Sequence, residues 1–166
     1  DSTITDQAST TADIAVKALT ATASASNKTY DGTTTATTTL TFSGLVGSET
    51  LGQTVGSTFN NKNVGTAKTV TVNSITLADG TGLAANYSIS PGQTTTADVI
   101  AKALTVSGIT ASNKTYDATT TATLNTGSVT YTGLVSGDVF NGTYTGAFSD
   151  MIVGTGKTVT ITPSFR

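Results

Sequence analysis

Residues 26–32 read SNKTYDG and residues 112–118 read SNKTYDA. Six consecutive residues thus recur 86 positions further on, which poses a choice between a duplicated site and a structural unit used twice. The matches continue outward from this pair. TTTAT follows in both copies, at 33–37 and at 119–123. ADIAVKALT at 12–20 answers ADVIAKALT at 97–105, with an offset of 85. SGLVGSE at 43–49 answers TGLVSGD at 132–138, and VGTAKTVTV at 64–72 answers VGTGKTVTI at 153–161 with an offset of 89. Order is preserved while the offset drifts by single residues, as small loop insertions produce, so the chain is a tandem duplication.

Composition narrows the class. The 166 residues contain no Cys, His or Trp, so disulfides, thiolate metal sites and the commonest general base are absent. Charged residues make up 11% and the net charge is −2, which gives no basic patch for a phosphate backbone and argues against nucleic-acid binding. The apolar runs are a few residues long, too short to insert in a membrane. DSTITDQ at the start has neither a basic nor an apolar region of a secretion signal. Thr fills 41 positions, and this β-branched residue suits a pleated, half-exposed strand. A disordered Thr-rich tract would not need the alternating Val, Ile, Leu, Phe and Tyr seen here, so the expected fold class is all-β.

Each unit reads as short strands separated by turn signals. Lys17 to Ala25 alternates through Leu19, Ala21 and Ala23, and its partner through Leu104 and Val106. Asn-Lys-Thr-Tyr-Asp-Gly reads as a turn, followed by a strand through Ala36, Leu40 and Phe42. Residues 44–56 read as loop with a short strand around Leu51 and Val55. Thr69 to Ile75 alternates at Val70 and Val72, and Thr158 to Thr162 repeats this at Val159 and Ile161. LADGTGLAAN reads as a long turn, and Tyr87 to Ile100 as the closing segment. A unit of this length suits a small, Ig-like β-sandwich. A grasp-like mixed fold is the alternative, although no stretch reads as helix. The expected division is residues 1–14 as the closing strand of a preceding repeat or a donor strand, 15–100 as repeat 1, and 101–166 as repeat 2 lacking its closing strand. TTTADVIAKALTV at the joint has no Gly or Pro, which predicts a stiff connection and a rod of two sandwiches end to end.

SNKTYDG with its Thr run, then GLV, VGTxKTVTV and NYSI before the next KALT, resembles the YDG domain. That family occurs as tandem arrays in large bacterial exoproteins of the filamentous-haemagglutinin and adhesin type, many exported by two-partner secretion. The resemblance implies a stalk or extender module of a secreted surface adhesin or matrix fibre, located outside the cell or on its surface. It brings no catalytic residues. Ala118 stands where the family has Gly, which questions a left-handed turn there.

The candidate site residues are Asn27, Lys28, Tyr30 and Asp31 with their copies Asn113, Lys114, Tyr116 and Asp117. As a structural turn motif, Asp31 and Asp117 bond nearby backbone N–H groups, while Tyr30 and Tyr116 pack their rings into the sandwich edge. The sharper reading condenses Lys28 or Lys114 with an Asn, which needs a desolvated lysine and a neighbouring acid. Calcium needs six to eight oxygen ligands; Asp79, Asp138 and Asp150 are isolated, so no metal and no cofactor is expected. Asn27, Asn86, Asn113 and Asn141 sit in Asn-X-Ser/Thr sequons, open to glycosylation in an exported protein. An enzyme is not expected, because neither repeat concentrates acids or pairs a nucleophile with a base. The rival is a carbohydrate-binding β-sandwich recognising a host or matrix glycan. Against it, Trp is absent and Tyr30, Tyr87, Tyr116, Tyr131 and Tyr144 mostly fall in alternating strands, where burial is expected.

DSTITDQASTTADI at 1–14 aligns with YSISPGQTTTADVI at 87–100, while KTVTITPSFR at the other end aligns with KTVTVNSITL in mid-repeat. Two readings stay open. The chain is an excerpt of a longer array, or residues 1–14 of one subunit fill the open sheet of the next. In the second reading, identical subunits and neighbouring repeats are the partners of a homopolymeric fibre.

Overall fold

A computed structural model describes residues 1–165. The described residues are all-β apart from a single 3-10 turn at Ala84–Asn86. They divide into two compact units, residues 1–100 and residues 101 onward.

Unit 1 contains β1 (Lys17–Ala18), β2 (Thr20–Ala25), β3 (Lys28–Thr29), β4 (Thr35–Ala36), β5 (Thr38–Ser43), β6 (Leu51–Phe59), β7 (Gly65–Asp79), β8 (Tyr87–Ser88) and β9 (Thr94–Ile100). Five strands form a mixed sheet in the order β3-β9-β7-β6-β4. All its neighbours are antiparallel except β3, which runs parallel to β9. β2 and β5 make a separate antiparallel pair, and β1 runs parallel to β8. Period-two alternation sends Val70 and Val72 of β7 inward with Ala97 and Val99 of β9. Ala36, Phe59, Val70, Ala97 and Val99 form one core cluster, against which Ala25 and Tyr30 pack. Full burial of a valine contributes about 1.5–3 kcal/mol, so Val70, Val72 and Val99 are the main apolar anchors of the unit.

Several expected boundaries differ. β6 and β7 are far longer than the short strands read from 44–56 and 69–75, because they pair with each other from Leu51↔Asp79 to Phe59↔Val70. Cross-strand pairing carries Thr, Gly and Asn through positions with little local strand signal. The SNKTYDG segment is also not only a turn: Lys28 and Thr29 form β3, held by β9.

Unit 2 contains β10 (Thr105–Ser107), β11 (Thr110–Ala111), β12 (Thr121–Ala122), β13 (Leu124–Asn125), β14 (Thr130–Thr132), β15 (Gly142–Phe148) and β16 (Val159–Phe165). β10 pairs with β14 and β11 with β13, in the place of β2 with β5. The sheet β12-β15-β16 corresponds to β4-β6-β7. Phe148↔Val159 reproduces Phe59↔Val70, which fixes the register between copies. Among the described residues no strand lies on the outer edge of β16, where β9 lies against β7 in unit 1.

Candidate functional site

The SNKTYD segment is built around its lysine. Lys28 Nζ donates to Asp31 Oδ1 at 2.9 Å, Thr33 O at 2.9 Å, Thr33 Oγ1 at 3.1 Å and Thr35 O at 2.8 Å. It stands 5.5 Å from the centre of the Phe59 ring, a cation–π distance. Asp31 Oδ1 also accepts from the Thr33 N–H at 2.9 Å and the Thr33 hydroxyl at 2.8 Å. The copy is almost superimposable in its chemistry. Lys114 Nζ meets Asp117 Oδ1, Thr119 O, Thr119 Oγ1 and Thr121 O within 3.0 Å, and lies 5.6 Å from the Phe148 ring centre.

Each ammonium thus makes charge-assisted hydrogen bonds to four oxygen acceptors. The aspartates respond: the Lys28 hydrogen bond, aided by Thr33, lowers Asp31 to about 2. Lys114, aided by Thr119, lowers Asp117 to about 2. Neither lysine bonds an Asn side chain, so the condensation considered for Lys28 and Lys114 has no partner here. The lysine that does meet an Asn amide is Lys68, which bonds Asn61 Oδ1. Its copy Lys157 meets the Asp150 carboxylate instead, and that contact lowers the Asp150 pKa.

Asn27 takes a different role. Its Oδ1 accepts the backbone N–H of Asp98 at 2.8 Å, fastening β9 across 71 residues of sequence. Asp98 Oδ1 in turn accepts the N–H of Ala67 at 2.8 Å, at a bulge of β7 where Ala67 has φ 47. The Tyr30 N–H donates to Ile100 O at 2.7 Å. The motif is therefore a latch for the closing strand as well as a turn. In unit 2 no such strand is present among the described residues, and Asn113 Oδ1 has no counterpart bond. Tyr116, expected to pack at the sandwich edge, is 59% exposed, with no strand equivalent to β9 over it among the described residues.

The remaining tyrosines vary. Tyr87 is buried; its hydroxyl donates to Glu49 Oε2 and accepts from the Val46 N–H at 3.1 Å. The Glu49 hydrogen bond raises the Tyr87 pKa. Tyr131 and Tyr144 are half-buried and share a 2.6 Å hydroxyl contact, which pushes Tyr144 up to about 12. The left-handed turn questioned at Ala118 is kept: Gly32 has φ 79 and Ala118 has φ 61. The bulge shows the opposite exchange, with Ala67 at φ 47 and its copy Gly156 at φ 61.

Sequence reasoning missed two side chains that bridge elements. Gln53 of β6 clamps the backbone of Leu40 in β5, accepting from its N–H at 2.7 Å and donating to its carbonyl at 2.8 Å. Ser57, the buried polar residue of the core, bonds Thr38 Oγ1 at 2.7 Å and Ala36 O at 3.1 Å. Neither has a local signal. The Asn27–Asp98 latch did have one, since Asn27 recurs as Asn113 in repeat 2 and Asp98 recurs as Asp13 ahead of repeat 1.

Among the described residues no three His, Cys, Asp or Glu side chains converge as a metal site, and no helix is long and apolar enough to cross a membrane. A shallow groove is lined by Leu19, Thr20, Ser88, Ser90 and Gln93, whose Oε1 is buried without a partner.

Two copies of one all-β unit, each organised by a lysine-filled turn, define a tandem β-repeat protein. The chain belongs to the YDG domain family, whose model matches residues 15–97 and again residues 100–164. No curated protein and no solved structure matches it.

Proposed function

We propose that the chain is a stalk or extender module of a secreted bacterial surface adhesin or extracellular matrix fibre, acting by mechanical spacing rather than catalysis. One observation carries this reading: in repeat 1 the entering strands pair in parallel with the closing ones. β1 pairs with β8 through Lys17↔Tyr87, and β3 with β9 through Lys28↔Val99. Tension applied at residues 17 and 100 loads those ladders, and the Asn27–Asp98 bond beside them, in shear, so the bonds resist together rather than opening in succession. The lysine turn supports the same reading, since its polar groups are used on the protein's own backbone.

Single-molecule pulling tests it. Handles at Lys17 and Ile100 load the parallel pairs, whereas handles at the paired residues Leu51 and Asp79 unzip β6 from β7. Unfolding through 17 and 100 is expected to need the larger force. Equal or smaller force there removes the mechanical reading. Specific glycan capture by the fragment, lost on Gln93→Ala in the groove beside β8, would instead favour the carbohydrate-binding module.

A further inference from the structure

Repeat 2 cannot form the Gln53 clamp of repeat 1, and an aromatic group stands in its place. The register shared by Phe59 and Phe148 puts Gly142 where repeat 1 has Gln53, Phe140 where it has Leu51 and Tyr144 where it has Val55. TGLV at 132–135 answers SGLV at 43–46, which puts Tyr131 where repeat 1 has Phe42. Glycine makes the room: a Cβ at Gly142 would stand 2.9 Å from the Tyr144 hydroxyl and 3.2 Å from Cε1 of Phe140. The Phe140 ring in turn meets Tyr131 edge-on, with ring centres 4.9 Å apart and planes at 72°. Tyr131 lies on β14 in one sheet and Tyr144 on β15 in the other, and their hydroxyls touch at 2.6 Å. Both side chains are half-buried, so an oxidant at the surface can draw electrons from them without unfolding the repeat.

We propose that Tyr131 and Tyr144 are an oxidative cross-linking site, joined through an ortho carbon of each ring into a dityrosine that ties the two sheets of repeat 2 together. The oxidant is of the peroxide class, hydrogen peroxide activated by a haem peroxidase. Each phenol gives up one electron and its hydroxyl proton, leaving a phenoxyl radical whose unpaired spin is shared with the ortho carbons. The two radicals pair to form one C–C bond. Each ring then recovers its aromaticity by passing its ortho hydrogen to its own phenolic oxygen. The two electrons and two protons released reduce one peroxide to two waters. In the product both hydroxyls sit ortho to the new bond as hydrogen-bonded neighbours, the relation they already have. Closing the gap between the ortho carbons falls to the χ2 torsions of the two rings, which are broad for tyrosine. Groups held in contact react with each other far faster than with a group on another molecule, so the link forms within one chain. A chain without cysteine has no disulfide to serve this purpose, and a C–C link is not undone by thiols. The site stands independently of the extender reading.

Treating the 166-residue chain at low concentration with hydrogen peroxide and a haem peroxidase tests this. The expected product is a monomer lighter by two hydrogens, with the blue fluorescence of dityrosine. Cleavage at Asp138, which lies between the two tyrosines in sequence, leaves its fragments joined. The melting midpoint rises by several degrees, with or without thiol, as a link that restrains the unfolded chain requires. Tyr131→Phe restores the residue that repeat 1 carries at this place, so the variant keeps its fold. It abolishes the mass loss, the fluorescence and the shift, while oxygen added at Met151 is the same in both proteins. Tyr116→Phe removes an exposed tyrosine and leaves all three signals unchanged. Chains coupled only to one another, a monomer that loses no hydrogen, or a product that survives in Tyr131→Phe each overturn the proposal. None of these results touches the pulling experiment on repeat 1, so failure here and failure of the extender reading are separable.

Discussion

The side-chain oxygen of Asn27 holds the backbone N–H of Asp98 at 2.8 Å, and this bond ties the start of repeat 1 to its last strand. Removing it orphans a backbone donor within a half-buried strand residue. An unmade bond of this kind costs about 1–3 kcal/mol. Asn27→Ala is expected to lower the stability of repeat 1 by about 2 kcal/mol, read from urea denaturation, and to expose the Asp98 amide to fast exchange. Asn113→Ala should change neither quantity. An Asp98 amide that remains protected in Asn27→Ala would show that the sheet holds β9 without the latch.

The paired exchange of Gly and Ala at left-handed positions gives a second test. Gly32 and Gly156 have positive φ, as do Ala118 and Ala67 at the matching places. A Cβ in that region costs about 1–2 kcal/mol, partly offset because glycine gains freedom in the unfolded chain, by about 0.4–1 kcal/mol. Ala118→Gly and Ala67→Gly should therefore each raise stability by about 0.5 kcal/mol. Gly32→Ala should lower it by a similar amount. Denaturation midpoints moving the other way would contradict the backbone geometry.

Acid should loosen the lysine turns. Asp31 and Asp117 are held at about 2 by Lys28 and Lys114, against 3.8 for a free aspartate side chain. A lowered folded pKa favours the folded state above the unfolded value, and that contribution disappears as pH falls through the folded value. The loss should run from about pH 4 down to about pH 2. Asp31→Asn with Asp117→Asn should flatten the stability profile in that window while leaving its shape near neutrality unchanged. An unaltered acid limb in the double variant would place the acid sensitivity elsewhere.

Gln53 is expected to be more sensitive than an ordinary surface glutamine. Gln53→Ala strips both the N–H and the carbonyl of Leu40 of their partner, in a residue only 3% exposed. A loss of about 2–3 kcal/mol follows from two unsatisfied backbone groups. Gln53→Glu keeps an acceptor for the N–H but sets a carboxylate against the carbonyl, so it should not rescue the protein. Calorimetry on both variants checks the order.

Duplication, strand class and the inward positions Val70, Val72 and Leu40 were legible in the sequence, because alternation and repetition are local properties of a strand. The all-β expectation and the YDG resemblance both hold. The lengths of β6 and β7 were not legible, since their outer halves exist through pairing rather than propensity. Nor was the clamp of Gln53, whose partner lies 13 residues away in another strand.

Tyr30 and Tyr116 show where the division falls. Both occur in the string SNKTYD, and in both copies that string and the Thr run after it supply the oxygen ligands of the lysine, because Lys, Asp and the two Thr lie within 7 residues of one another. Yet Tyr30 is half-buried and Tyr116 is open. What separates them is β9, which arrives from 71 residues away to cover one motif, and whose copy in the sequence, residues 9–15, lies exposed and unpaired. Local chemistry follows from neighbouring residues in the chain. Burial depends on which distant segment comes to lie on top, and that only the tertiary structure decided.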